Sequence, residues 1–150
     1  MTTVTVSTTV AAPIEQVFDV FTDLAHSAAR VSNIQEIEVL TTGPFGLGTR
    51  WLETREVMTQ HDTAEMEVTA FQRNRTYTVT HHKGGGRIDS VFTFAPFADG
   101  TKVEIEFVLD SHGLPAGLLA PLGWVIAGKV RDVLSRDLAD LKASMEKQPA

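Results

Sequence analysis

The sequence predicts an α+β fold: one antiparallel sheet of about seven strands, with a long C-terminal helix lying across it. Three patterns predict it. Apolar residues alternate with polar ones through the middle of the chain, as in half-buried strands. The connections between those runs are too short for parallel crossovers, which need a dozen residues or more. Near the end, apolar residues switch to steps of three and four, the spacing of a helix with one dry face.

Val4, Val6 and Val10 fall on even positions among hydroxyl residues and mark the first strand. Pro13 suits a helix start, where its missing N–H costs nothing. Ile14, Val17, Phe18, Phe21 and Leu24 then repeat at helical spacing, with Glu15 in the first turn. Residues 25–33 offer few apolar anchors and read as a second short helix or an irregular turn. Ile37, Val39 and Leu40 begin the second strand. Gly43-Pro44-Phe45-Gly46-Leu47-Gly48 punctuates a connection before the extended pattern resumes at Thr49 to Met58. The glycine spacing matches neither G-x-G-x-x-G nor a Walker A loop, so it reads as a structural hairpin.

Further strands follow, with turns at Gln60-His61-Asp62, at Arg73-Asn74, at Gly84-Gly85-Gly86 and from Pro96 to Gly100. Phe92 and Phe94 share one parity in their strand. Val103, Ile105, Phe107 and Leu109 share one in the next, where Lys102, Glu104 and Glu106 alternate with them, giving one dry and one wet face. The last segment places Leu118, Leu122, Val125, Ile126, Val130, Val133, Leu134, Leu138, Leu141 and Met145 on one stripe. Arg131, Asp132, Arg136, Asp140 and Lys142 take the other side, where Asp132–Arg136 and Arg136–Asp140 have ion-pair spacing. The helix runs from about Pro115 to Lys147, and Pro121 marks a kink or the true start after a first turn from Pro115 to Ala120.

A chain of 150 residues is long enough for one substantial core. The formal charge of −6, with basic residues scattered, lacks the electrostatic footprint of a nucleic-acid binder. No run reaches the ~18 apolar residues of a membrane span, and the N-terminus lacks the plan of a signal peptide, so the expected location is the cytoplasm. With no cysteine there is no disulfide, thiolate metal site or cysteine nucleophile. The histidines show no metal-ligand spacing; His81 and His82 are adjacent in a strand and point to opposite faces. No metal and no cofactor is expected.

One strand breaks the clean alternation. Trp51, Glu53, Arg55 and Val57 share one face, and Leu52, Thr54, Glu56 and Met58 share the other. If the Trp51 face lies inward, it carries a carboxylate and a guanidinium into an apolar interior, where they must pair. Otherwise Glu53 and Arg55 form a solvated pair near a sheet edge. His81 shares parity with Tyr77 and Val79 and reads as a core-facing histidine. No serine sits in a nucleophile elbow, and no local acid/base signature stands out.

The order of elements resembles the START-like superfamily, in particular the SRPBCC group of polyketide cyclases/dehydrases and lipid-transport proteins. The local carriers are Ala11-Ala12-Pro13-Ile14-Glu15-Gln16-Val17-Phe18, Gly43-Pro44-Phe45-Gly46-Leu47-Gly48-Thr49-Arg50-Trp51 and Leu118-Leu119-Ala120-Pro121-Leu122. The resemblance covers nearly the whole chain. It implies one domain over residues 1–150, with a helix-grip fold whose sheet wraps the long helix around a deep cavity. On that analogy the cavity residues are Phe21, Trp51, Glu53, Arg55, Met66, Val68, Tyr77, His81, Phe92, Ile105, Trp124, Ala127 and Gly128. Together with Gly123, the last two put small residues where the helix comes close to the sheet or leaves room for a ligand. The implied function is binding or carriage of an apolar small molecule, such as a lipid or polyketide, by a monomer or homodimer. A cyclase or dehydratase using Glu53, Arg55, Tyr77 or His81 is the alternative, and a protein-interaction module a further one.

Overall fold

A computed structural model describes residues 2–57, 60–83, 85–110 and 116–146; the side chains of residues 57, 60 and 116–127 lie outside the described set. The elements run β1 (Thr2–Val10), α1 (Ile14–Phe21), α2 (Leu24–Arg30), β2 (Ile34–Val39), β3 (Arg50–Val57), β4 (Gln60–Gln72), β5 (Thr76–Lys83), β6 (Gly86–Phe97), β7 (Gly100–Asp110) and α3 (Ala116–Glu146). All strands join one curved antiparallel sheet in the order β1-β7-β6-β5-β4-β3-β2. This is the helix-grip arrangement.

The alternation of valines explains the first pairing. Val4, Val6 and Val10 are buried, and Val6 lies opposite Ile105 on β7. Thr8 lies opposite the fully buried Val103. Helix α1 inserts Val17, Phe18 and Phe21 into this face. A register shift between Val68 and Ala70 changes the parity of β4, so Met66, Val68 and Phe71 all belong to the core cluster.

Helix α3 is 31 residues long and lies along β1. Leu138, Leu141 and Met145 are the most buried apolar residues among its described side chains. Asp140 anchors it by accepting bonds from the backbone N–H and the hydroxyl of Ser32, at 2.9 and 2.8 Å. The ion pairs Asp132–Arg136 and Arg136–Asp140 do not form among the described residues. A near partner outside the helix takes Asp140 instead, and exposed (i, i+4) pairs gain only a few tenths of a kcal/mol.

Helix α3 starts at Ala116, within the expected first turn before Pro121. Two other expectations change. Gln60, His61 and Asp62 are not a turn but already pair with Val57, Glu56 and Arg55. Residues Pro96 to Gly100 are not a long connection either: β6 runs to Phe97 and β7 starts at Gly100, with Ala98 between them at φ 50°. A Cβ on Gly100 would fall 2.1 Å from the carbonyl oxygen of Val10, so glycine lets β1 end hard against this hairpin.

The two edges of the sheet differ. At β1, α3 packs alongside. At β2, Gln35, Glu36, Glu38 and Val39 are exposed.

Candidate ligand-binding site

The concave face of the sheet, the three helices and the β2–β3 connection line a partly open cavity of about 90 Å³. It has an aromatic end and an ionic end.

Phe21, Phe45, Tyr77 and Phe92 form the aromatic end. Tyr77 and Phe92 sit opposite each other on β5 and β6, and their rings stack with centroids 4.5 Å apart. Phe45 meets Tyr77 edge-on at 5.1 Å, and Phe21 meets Phe92 at 6.4 Å. Behind them, Phe18 makes edge contacts to Phe71, Tyr77 and Phe94. Such pairs add about 0.5–1.5 kcal/mol each beyond their burial, so this wall is stiff as well as apolar. Leu24, Val31, Ile34, Ile37, Val79, Ile105 and Leu141 complete the apolar lining.

The ionic end is assembled across elements. Alternation on β3 turns Trp51, Glu53 and Arg55 inward together, which decides the orientation that sequence left open. Glu53 accepts from Trp51 Nε1 through Oε1 at 3.2 Å and from Arg55 Nε through Oε2 at 2.8 Å. Arg55 then reaches α3, where Nη1 and Nη2 donate to Asp137 Oδ1 and Oδ2 at 3.2 and 2.9 Å. The side chains of Glu53, Asp137 and Arg55 are 10%, 11% and 23% exposed. This fork clamps β3 to α3, and burial makes its geometry costly to disturb.

Burial alone would weaken the charge on Arg55. The Glu53 and Asp137 carboxylates outweigh it and raise the guanidinium's proton affinity. Burial pushes Asp137 above the ordinary carboxylate range despite its fork with Arg55, and Glu53 and Asp140 act in the same direction. Burial, with the Glu53 carboxylate behind it, raises Tyr77 far above an ordinary phenol, so its hydroxyl is a neutral donor at working pH. Among the described residues that hydroxyl has no hydrogen-bond partner, and it is open to the cavity that Tyr77 lines: the buried side-chain polar atom left unpaired is Asn74 Oδ1 instead. Ser27, the other hydroxyl of the lining, donates to the Asp23 carbonyl.

Of the residues expected at the site, Phe21, Trp51, Glu53, Arg55, Tyr77, Phe92 and Ile105 line this cavity. Val68 is fully buried and Met66 packs against the core, but neither is among the lining residues. His81 is half-buried beside the cavity, where burial lowers its pKa against the partial opposition of Glu53. Gly128 is exposed, because the inner stripe of α3 passes through Leu134, Leu138 and Leu141 on another side of the helix. The side chains of Trp124 and Ala127 lie outside the described residues, as does Gly123.

Two lining residues were missed and carry weight. Asp137 sits three residues after Leu134 and four before Leu141, so a carboxylate on the dry stripe was visible in the spacing. Phe45 carried a weaker signal, an aromatic ring inside a glycine-rich hairpin. Among the described residues no cluster of His, Asp or Glu could hold a metal ion, and no helix is long and apolar enough to cross a membrane.

The sequence profile described as polyketide cyclase / dehydrase and lipid transport matches residues 1–146. The chain belongs to this family. Its fold is that of the START-like, SRPBCC superfamily. Among solved structures, ginseng major latex-like protein 151 from Panax ginseng is 14% identical with TM-score 0.75, over 95% of each chain. A Thermus thermophilus protein is 20% identical with TM-score 0.71, over 95% of this chain and 98% of its own. A START superfamily protein from Mycobacterium smegmatis is 16% identical with TM-score 0.68, over 91% and 93%. At these identities the likeness is one of fold. The sequence finds no match among curated proteins.

Proposed function

We propose that this member of the family binds or carries a small, mainly apolar molecule in its internal cavity. The observation that carries the reading is the Tyr77 hydroxyl, which has no described hydrogen-bond partner and belongs to a lining that joins an aromatic wall to an ionic cluster. Left open to the cavity, that hydroxyl is free to donate to a ligand oxygen. Family membership supports the reading, since lipid transport is part of the family's description.

The volume limits the ligand. About 90 Å³ is below the ~150 Å³ of a cavity that takes benzene, and well below the ~300–1,000 Å³ of drug-sized sites. A single ring, or one end of a larger molecule, therefore enters with an outward shift of the lining. Titration with toluene and p-cresol, followed by ligand-observed NMR, tests this. Saturable binding that disappears in the cavity-filling variant Val79→Phe, with the fold retained by circular dichroism, supports it. Absence of saturable binding by both probes sinks it.

The cyclase or dehydratase reading uses the same Tyr77 hydroxyl, as a proton donor to a carbonyl. It weighs less, because both oxygens of Glu53 and both of Asp137 already accept hydrogen bonds. Both carboxylates of the described lining are also ion-paired with Arg55, and taking up a proton would break that pair.

A further inference from the structure

We infer that the ionic end of the cavity selects neutral ligands bearing a hydroxyl group and turns away carboxylate and phosphate groups, and that Asp137 is the residue responsible. The inference rests on the proposed ligand-binding role and narrows it to a chemical class.

A lone arginine in an apolar cavity would be an anion receptor, because its planar fork matches carboxylate and phosphate. Arg55 is not alone. Three of its five N–H donors are in use, Nε to Glu53 and one on each terminal nitrogen to Asp137, so its charge is already matched by two carboxylates. One cation thus faces two carboxylates, all mostly buried. Nearby cations do not restore the balance: Arg30 is paired with Asp23, and Lys83 with Asp62. An anionic ligand would bring a third negative charge into a poorly solvated site with one positive charge, and like charges repel strongly there.

The same groups suit a hydroxyl. Each carboxylate oxygen can accept more than one hydrogen bond, so Glu53 keeps capacity for a ligand O–H beyond its bonds to Trp51 and Arg55. Tyr77 supplies the complementary donor, with no described partner to compete. A phenol or alcohol can donate to one and accept from the other. Its apolar body then lies against Phe45 and Phe92.

The experiment compares three probes of similar size at pH 7.5: p-cresol, benzoate and toluene, with dissociation constants from ligand-observed NMR or calorimetry. On the intact chain p-cresol is expected to bind at least tenfold more tightly than benzoate, and more tightly than toluene. In Asp137→Asn, where Arg55 keeps one carboxylate, benzoate should gain at least tenfold while p-cresol changes little. Asp137→Ser makes the same test if Asp137→Asn does not fold. Benzoate binding the intact chain as tightly as p-cresol, or no gain for benzoate in the folded variant, overturns the selectivity. If p-cresol binds no better than toluene, the hydroxyl preference is overturned while the cavity reading stands. If no probe binds, both fall together.

Discussion

The two ends of the cavity are built on different physics, although the same face of one sheet supplies most of both. At the aromatic end, Phe21, Phe45, Tyr77 and Phe92 hold one another by edge and stacking contacts, and any one ring has several neighbours to lean on. At the ionic end each group depends on one cation, since Glu53 and Asp137 both bond Arg55. A packed wall degrades gradually as volume is lost. A charge cluster with a single cation fails abruptly when that cation is removed. The difference teaches where the fold tolerates change.

The strongest way to break the comparison is Arg55→Met. It leaves two buried carboxylates facing each other, and a loss of about 3–5 kcal/mol is expected. Urea unfolding measures it; a loss under about 1 kcal/mol would show that water already reaches the cluster. Asp137→Asn removes only the surplus negative charge and keeps an acceptor for Arg55. Its expected cost is smaller, about 1.5–3 kcal/mol, the range for a hydrogen bond to a charged group. If the two variants prove equal, the cluster is not limited by its cation.

At the aromatic end, Phe94→Leu nearly conserves volume at a site 4% exposed, so about 1.5 kcal/mol or less is expected from the same measurement. A larger loss would mean that the edge contacts of Phe94 with Phe18 and Phe21 matter more than volume.

The smallest effect is on pH dependence. Burial holds His81 below its ordinary value of 6.5 in the folded chain. Its contribution to stability is thus complete above that value and is lost as pH falls, because the unfolded chain takes up the proton more readily. Asp137 has the opposite sign at lower pH: raised above 3.8, it favours the fold below that value and loses this contribution as pH rises. Unfolding midpoints across pH 5–7 should flatten in His81→Gln. An unchanged slope would assign the pH response to other groups.

The sequence made the architecture legible because the sheet obeys period two and α3 obeys steps of three and four. Val4, Val6 and Val10 and the run Val103-Ile105-Phe107 needed no other information. Parity also grouped Trp51, Glu53 and Arg55, but parity states which residues share a face, not which face is dry. The partner that decides the matter, Asp137, is 82 residues from Arg55 in the chain. Long-range pairing of that kind leaves no periodic trace, although a carboxylate between Leu134 and Leu141 was a usable clue. Met66, Val68 and His81 show the converse: facing inward is necessary for lining this cavity and does not suffice, because the aromatic cluster fills part of the concave face. Phe45 was obscured by the glycines around it.

The acidic rim at β2 has a consequence for how the chain behaves among its own copies. An edge strand that no further strand pairs with offers backbone groups to any other sheet, which is how ordered aggregates begin. Glu36 and Glu38 stand exposed on that edge, and an approaching copy would bring the same two charges against them. Replacing both with threonine would remove the repulsion while favouring extended backbone. Turbidity on heating at high protein concentration should then appear at lower temperature than in the parent chain.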